Sequence, residues 1–316
     1  MHIFSAQETA AALPFPAMLK QMEAIFATGA TAPQRHHHTI PQASGGQDVV
    51  LLLMPAWEGS EHYMGVKIAN VHPDNGQRGL PAVMASYLLI DKLNGEHFAL
   101  FDGSVLTARR TAAASVLGAK YLANPQARTL LVVGSGRVAR VLPEAFSSQF
   151  PIERVLIWNH RTESAETLVR DLQQQQNWNS VTVCEDLAAG VAEADIISCA
   201  TLAREPLIAG QWLKGGQHVD LLGSFTPVMR EADDETMRRA HVYIDTPAAL
   251  QESGELIMPI ESGALQATDI CGDLYYLCQQ ASSQYDPARL TVFKGVGHAL
   301  EDLACAMTAW ENYTKN

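Results

Sequence analysis

The stretch LLVVGSGRVA, residues 130–139, determines the fold that we predict for this chain. Its first four residues are apolar and predict a buried strand, which runs directly into the pattern G-x-G-x-x-A. In this dinucleotide fingerprint, Gly134 permits a tight turn, Gly136 lets a pyrophosphate approach the backbone, and Ala139 lets the next helix pack closely. Pro143 does not fit this pattern, because a proline inside the helix that follows the fingerprint should kink that helix. The residues predicted to bind a dinucleotide at the helix N-terminus are Gly134, Ser135, Gly136, Arg137, Val138 and Ala139.

The end of the next predicted strand, Arg154–Trp158, indicates which dinucleotide is bound. Enzymes specific for NAD usually carry Asp or Glu about 20 residues after the glycines, where it accepts hydrogen bonds from the ribose hydroxyls. This chain has Asn159, His160 and Arg161 there, so no carboxylate repels a 2′-phosphate and two basic side chains can pair with one. The sequence predicts NADPH as the preferred cofactor and leaves NADH open. A solvated Arg161 at a strand end is the alternative interpretation.

Length and composition predict a globular protein of two domains, since 316 residues is long for one core and 47% of them are hydrophobic. The net charge of −12 argues against nucleic acid or an anionic membrane as a partner. The five cysteines lack C-x-x-C spacing and predict neither a disulfide framework nor a zinc site. Because the N-terminus lacks a signal-peptide pattern and no long apolar run is present, we expect a cytoplasmic protein.

Strands and helices are predicted to alternate after the fingerprint, which is typical of a doubly wound parallel sheet. Before it, strands over Gln34–Leu53, Tyr63–Val71 and parts of 82–101 predict a mostly antiparallel sheet. A helix from about Ser104 to Ala123 leads into the nucleotide domain, and one over Gly297–Trp310 returns to the first domain. We therefore predict an α/β fold, with a Rossmann domain over 119–294 and an α+β domain formed by 1–118 and 295–316.

Three basic residues of the first domain predict an anion site. Lys67 lies in a strand between apolar neighbours, Arg110 lies near the start of the Ala-rich helix, and Arg35 precedes three histidines. Two arginines and a lysine around one pocket would bind a carboxylate well. The alternatives are a surface lysine at Lys67 and an ion pair between Arg110 and Asp102. The histidine run does not predict a metal site, because only two of the three side chains share a strand face.

The chain resembles the ornithine cyclodeaminase/mu-crystallin family over nearly its full length. The resemblance rests on Arg35 after a proline-containing turn and on five motifs in combination. These are Leu53-Met54-Pro55, Gly65–Asn70 (GVKIAN), Thr107–Ala113 (TARRTAA), the GSGRVA fingerprint and Gly295–Asp302 (GVGHALED). The resemblance implies a dinucleotide-binding domain, a second domain for substrate binding and dimerisation, and a homodimer.

The resemblance also implies roles for individual residues. Arg35, Lys67 and Arg110 would hold a substrate carboxylate, with Lys67 the best candidate for polarising or protonating a ring nitrogen. Phe225 and Met54 would form apolar walls. The segment Cys199, Ala200 and Thr201, at the end of a predicted strand, would line the nicotinamide pocket unless it is ordinary core. The remaining residues implied to contact the cofactor, from two of the motifs, are Thr111 and Gly297.

Departures from the cyclodeaminase pattern indicate the branch of the family. Those enzymes carry Asp two residues before a loop proline and Glu two residues before Met-Pro, but here these positions hold Phe225 and Leu52. An aromatic and a leucine cannot handle the amines of a diamino acid. The segment DLLGSFTP instead resembles the reductases of cyclic ketimines, so we predict NAD(P)H-dependent reduction of Δ1-pyrroline-2-carboxylate, a small cyclic imino acid, to L-proline.

Three alternatives stay open at the level of sequence. They are an alanine-type amino-acid dehydrogenase, an ornithine cyclodeaminase, and a protein that binds a small molecule together with NADPH without turning it over. Six-membered ring substrates such as Δ1-piperideine-2-carboxylate are also open, because one methylene changes binding by only about 1–3 kcal/mol.

Overall fold

The computed structural model describes residues 1–42, 46–59, 62–175 and 177–315. Its elements, in chain order, are β1 His2–Ile3, α1 Ala6–Ala11, α2 Phe15–Ala27, β2 His36–Ile40, β3 Val49–Trp57, β4 Tyr63–Val71, β5 Val83–Asp91, β6 His97–Asp102, α3 Gly103–Leu122, β7 Thr129–Val133, α4 Leu142–Ser147, β8 Arg154–Trp158, α5 Thr162–Gln173, β9 Ser180–Val183, α6 Leu187–Glu193, β10 Ile196–Cys199, β11 His218–Leu221, α7 Asp234–Arg239, β12 His241–Ile244, α8 Ala249–Glu252, α9 Gly254–Ser262, α10 Leu274–Leu277, β13 Thr291–Lys294 and α11 Ala299–Thr314. Short 3₁₀ helices occupy Pro73–Arg78, Gly210–Trp212 and Ala267–Asp269.

The chain divides into two compact units, one formed by residues 1–110 and 298–316 and the other by 111–297. The first division falls inside α3, slightly before the predicted boundary at 118/119. The second falls just after the predicted boundary at 294/295. Among the residues that the model describes, no helix is both long and apolar enough to span a bilayer.

The first unit is built on a six-stranded sheet in the order β1-β6-β5-β4-β3-β2, antiparallel except where β1 pairs with β6. The predicted mostly antiparallel sheet is therefore confirmed. The region predicted as strand over Gln34–Leu53 contains two paired strands, β2 and β3, and residues 43–45 between them lie outside the described residues.

The two faces of this sheet differ. Met54 on β3 and Tyr87 on β5 both pair with Lys67 on β4, and these three side chains share a buried face. The opposite face is apolar, yet none of its central side chains is buried. We call the residues that form it the apolar sheet face: Leu53, Pro55, Val66, Ile68, Leu88 and Leu100.

The second unit contains a seven-stranded parallel sheet in the order β12-β13-β11-β10-β7-β8-β9. Its interior strand β7 is buried at all five positions, as the apolar run Leu130–Val133 predicts. The strand order reverses between β7 and β10, and ligands of open parallel sheets bind outside the carboxyl ends of the strands at such a reversal. The predicted doubly wound fold is confirmed.

Candidate active site

The fingerprint forms the turn at the carboxyl end of β7. Gly134 has φ +116°, a conformation that side-chain-bearing residues rarely adopt, and its N–H donates to the Trp158 carbonyl over 2.8 Å. A Cβ added at Gly134 would lie 2.6 Å from the Ala200 carbonyl oxygen, so the turn packs directly against the end of β10. A glycine is therefore required here for two reasons, the backbone conformation and the close approach.

A groove of about 860 Å³ opens beside this turn, lined by Gly134, Ser135 and Gly136 together with the ends of β8 and β10. A Cβ built at Gly136 would meet no atom within 4 Å, so its missing side chain leaves open space. Space beside backbone N–H groups is what a pyrophosphate requires. The residues present therefore fit a dinucleotide.

The segment after the fingerprint corrects one prediction. The helix does not begin at the fingerprint, because residues 137–141 form turns and α4 begins only at Leu142. Pro143 lies in the first turn of α4, where a missing N–H breaks no hydrogen bond, so it neither kinks nor interrupts the helix. Arg137 and Val138 lie in the turn, while Ala139 is fully buried.

The end of β8 supplies a polar wall of the groove, formed by Asn159, His160 and Arg161 as predicted for a ribose site. Arg161 is exposed and precedes α5, and its carbonyl accepts a hydrogen bond from the Asn159 side-chain amide over 3.1 Å. Glu163, a carboxylate in the first turn of α5, also lines the groove and was not predicted from the sequence. Other groove residues that were not predicted include Arg140, Ser164 and Thr167.

Only two of the three residues predicted to contact the cofactor at the end of β10 line the groove. Ala200 and Thr201 line the groove, but the Cys199 side chain is fully buried in the hydrophobic core of the sheet and does not reach it. The core alternative is therefore correct for Cys199, because the alternation of side chains along a strand turns it away from the neighbouring position. Thr111 and Gly297 do not line the groove either, and the Gly297 N–H donates to Asp245 Oδ2 over 2.7 Å.

A buried charge cluster lies in the first unit, formed by Lys67, Arg110, Glu301 and Asp302, each less than a tenth exposed. Lys67 Nζ lies 2.7 Å from Asp302 Oδ2. Arg110 Nε donates to Asp302 Oδ1 over 3.0 Å, and Arg110 Nη1 donates to Glu301 Oε2 over 2.6 Å. Asp302 therefore bridges the two cations.

These contacts exclude the alternatives considered from sequence for Lys67 and Arg110. Lys67 is not a surface residue, since only 4% of it is exposed. The Asp102 carboxylate caps the start of α3 by accepting from the N–H groups of Ser104 and Val105. Arg110 lies two turns into α3, beyond the first turn in which the helix dipole acts.

Burial and neighbouring charges perturb the pKa values of this cluster. Burial and the nearby charge of Arg110 lower the pKa of Lys67 to about 8, although the charge of Asp302 opposes the change. The pKa of Arg110 is raised, because Asp302 and Glu301 outweigh the effect of its burial. Burial and then the charge of Arg35 lower the pKa of His298 to about 4. Arg35 is half-buried and acts electrostatically on both Lys67 and His298, so it belongs to the same region.

Other predicted residues occupy defined places. Met54 is 3% exposed and directly opposite Lys67, whereas Phe225 follows β11 in the second unit and is 46% exposed. His36 and His38 are exposed, and their rings lie 6.4 Å apart on one side of β2. Within the described ranges, no group of three His, Cys, Asp or Glu side chains is placed to hold a metal ion.

The model of the ornithine cyclodeaminase/mu-crystallin family matches residues 3–316 of this chain. The chain belongs to this family. It is 41% identical over 281 residues to a Δ1-pyrroline-2-carboxylate reductase of Paracoccus denitrificans, covering 86% of this chain and 88% of that protein. It is 35% identical over 263 residues to the ketimine reductase mu-crystallin of Rattus norvegicus, covering 83% and 80%. Its fold matches the Thermococcus litoralis Δ1-pyrroline-2-carboxylate reductase, solved with NADH and L-proline, with a TM-score of 0.91, 27% identity and coverage of 100% and 98%.

The two carboxylates of the charge cluster were not predicted from the sequence. Glu301 and Asp302 end the GVGHALED motif, which was used for the resemblance but given no role for its carboxylates. Both lie in the first turn of α11, which begins after the cap residue His298. The available signal was the pair of adjacent acidic residues in an otherwise apolar helix start. Because carboxylates are almost never buried unless they are paired, two of them in such a segment indicate cationic partners.

Proposed function

We propose that the protein reduces Δ1-pyrroline-2-carboxylate to L-proline, with NAD(P)H as the hydride donor and C2 of the imine as the acceptor. The observation that carries the proposal is the buried charge cluster, in which Lys67 and Arg110 share Asp302 beside the apolar side chain of Met54. Relatives and a structural neighbour named as reductases of this imine support it.

The cationic residues serve to bind and orient the substrate. Arg110 offers a planar fork and Lys67 a compact charge, and together they fix a carboxylate in one orientation. Arg35 adds a third positive charge in the same region. Asp302 and Glu301 hold the two buried cations in place, so that the site is ordered before the substrate arrives.

A bound nicotinamide dinucleotide supplies the hydride that C2 accepts. Reduction of the C=N bond also requires one proton at the ring nitrogen, in addition to the hydride at C2. Lys67 is the candidate donor, because a pKa of about 8 leaves it charged yet able to release a proton near neutral pH.

Phe225 and Leu52 favour this reaction over cyclodeamination. Leu52 is two residues before Met54 on the same face of β3, where the cyclodeaminase pattern has Glu. Without the two carboxylates of that pattern, the site lacks the groups that would handle two amines of a diamino acid.

The deciding experiment is an assay of NADPH consumption by the purified protein. The substrates are Δ1-pyrroline-2-carboxylate, Δ1-piperideine-2-carboxylate, pyruvate with ammonia, and ornithine. We expect ammonia-independent oxidation of NADPH with the imines and formation of L-proline from the five-membered ring. Turnover that requires pyruvate and ammonia would identify an amino-acid dehydrogenase, release of ammonia from ornithine would identify a cyclodeaminase, and tight binding without turnover would identify a binding protein.

We propose NADPH as the preferred dinucleotide. His160 and Arg161 line the groove where a 2′-phosphate would lie, and Arg161 can pair with a phosphate through two parallel hydrogen bonds. Glu163 in the same wall can accept hydrogen bonds from ribose hydroxyls, which favours use of NADH as well.

We further propose that the protein is a homodimer that associates through the apolar sheet face. Six apolar side chains from four adjacent strands form this face, and burial of such a patch against a second copy is favourable. A two-fold interface would use the same face on both copies.

A further inference from the structure

A single buried carboxylate connects two loops of the second unit. Glu231 is fully buried. Its Oε1 accepts hydrogen bonds from the N–H and the hydroxyl of Thr201, both over 2.8 Å, and its Oε2 accepts one from the Gly223 N–H over 2.7 Å. Thr201 follows β10 and Gly223 follows β11, so Glu231 links the carboxyl ends of two adjacent strands.

Three donors on two oxygens fit an ionised Glu231 carboxylate, because both of its oxygens accept, whereas an amide would present a donor to one of them. Burial raises the pKa of Glu231, while the nearby charge of Lys294 and the hydrogen bonds from Gly223 and Thr201 oppose this effect. The Glu231 backbone N–H donates to Glu255 Oε2 over 2.7 Å, which fixes the residue from the other side.

Both linked loops matter for the proposed reaction. Thr201 lines the dinucleotide groove next to Ala200, whose carbonyl is the atom against which Gly134 of the fingerprint packs. The loop that begins at Gly223 carries Phe225, the aromatic that departs from the cyclodeaminase pattern. Glu231 does not itself line the groove, so it can act on the reaction only through these loops.

We propose that Glu231 is a positioning residue that holds the Thr201 loop in the shape required to bind the dinucleotide and ties it to the Phe225 loop. This inference rests on the proposed function, because it assumes that the groove binds a nicotinamide dinucleotide. It goes further by assigning a role to a residue outside the groove.

The test is the variant Glu231→Gln. Its side-chain NH₂ group would face the Gly223 N–H, a donor, at the place where Oε2 of Glu231 accepts a hydrogen bond. We expect the dissociation constant for NADPH, measured by fluorescence titration, to rise about tenfold, the effect of one lost charge-assisted hydrogen bond. The matched control is Asp233→Ala. Asp233 also accepts from two N–H groups and one hydroxyl, those of Gly210 and Thr236, but these residues lie outside the groove. The control should lower the melting temperature without changing NADPH affinity.

A double-mutant cycle separates positioning from direct contact. Thr201→Val removes the hydroxyl donor, and its effect on NADPH affinity should be smaller in the Glu231→Gln background than in the wild type. Additive effects would mean that Thr201 acts without Glu231 and would overturn the inference. If Glu231→Gln does not fold, Thr201→Val and Thr201→Ser provide the test. Weaker NADPH binding by Thr201→Val, with wild-type binding by Thr201→Ser, would support the inference. Equal NADPH binding by both variants would overturn it.

The two proposals can fail separately. Wild-type protein that binds neither NADPH nor NADH would contradict the proposed function. Wild-type protein that binds NADPH, beside a folded Glu231→Gln variant that binds it equally well, would contradict only the positioning role.

Discussion

At the scale of single residues, opposite charges allow a dry site to hold two cations. Burying Lys67 and Arg110 without partners would be strongly unfavourable, but Asp302 and Glu301 compensate them. The same pairing leaves the cluster close to neutral, so under the proposed function a substrate carboxylate would add its charge beside Arg35. Recognition of that acid group would therefore depend on the geometry of the donors as well as on net charge.

We expect Arg110→Lys to raise the KM for the imino acid about tenfold, because lysine keeps the charge beside Glu301 and Asp302 but loses the planar fork. Steady-state kinetics with saturating NADPH measures this. Arg109→Lys is the matched control, since Arg109 is buried in the same helix but donates to the Leu13 carbonyl over 2.9 Å and stacks on Phe15. A wild-type KM in Arg110→Lys would remove Arg110 from substrate binding.

Lys67 gives a prediction on pH. Its pKa of about 8 in the folded protein lies below the ordinary lysine value, so it loses its proton as the pH rises through about 8. We therefore expect kcat/KM for the imino acid to fall above that pH. The variant Lys67→Arg stays charged but cannot release a proton, so its kcat/KM should be low at every pH and should not show this fall. The same fall in both proteins would assign it to the substrate or to another group.

Arg161 tests the preference for NADPH. We expect Arg161→Ala to raise the KM for NADPH about tenfold through the lost pairing with the 2′-phosphate, and to leave the KM for NADH nearly unchanged. Arg154→Ala is the control, because Arg154 begins the strand that Arg161 follows and forms a surface ion pair with Glu193. Equal effects on both dinucleotides would show that Arg161 does not read the phosphate.

At the scale of elements, local sequence patterns predicted the strands and helix ends that neighbouring residues determine. The strand β4 and the buried strand β7 follow from apolar runs. Ser5 and Glu8, three residues apart, form a capping box at the start of α1, the local arrangement that this spacing favours. The start of α4 was misplaced because the fingerprint implied an immediate helix, whereas Pro143 fits only a first turn.

Contacts between distant residues could not be predicted in the same way. The partner of Arg110 lies 192 residues away at Asp302, while the partner considered from sequence was the nearby Asp102. The link from Glu231 to Thr201 spans 30 residues and depends on the order of strands in the sheet. Hydrophobic periodicity does not indicate which distant residues pair in the folded chain.

Replacing glycine by valine should have different effects at two positions of the second unit, on stability at one and on NADPH binding at the other. A Cβ at Gly118 of α3 would lie 2.7 Å from the Phe293 ring of β13, so Gly118→Val should destabilise the protein by about 1–3 kcal/mol through overpacking. Gly136→Val enters open space and should leave the melting temperature nearly unchanged while weakening NADPH binding. Thermal unfolding and fluorescence titration of both variants measure this. Loss of stability without loss of affinity in Gly136→Val would contradict the assigned pyrophosphate site.

At the scale of the whole molecule, the apolar sheet face is the feature that a second copy would cover. Alternation along β3, β4, β5 and β6 places buried side chains on one face and the apolar sheet face on the other. An apolar sheet face that no other part of its unit covers is unusual for a surface in contact with water.

We expect Val66→Asp to convert a dimer into a monomer. Val66 pairs with Pro55 and Leu88 within the apolar sheet face, and a carboxylate there would lose its hydration on association without gaining a partner. Sedimentation velocity over a range of concentrations measures the association state, and thermal unfolding shows whether the separated chain remains folded. Leu93→Asp is the control, because Leu93 is 64% exposed in the turn between β5 and β6, away from this face. Val66→Asp protein that sediments as a dimer, or wild-type protein that sediments as a monomer, would contradict the proposed interface.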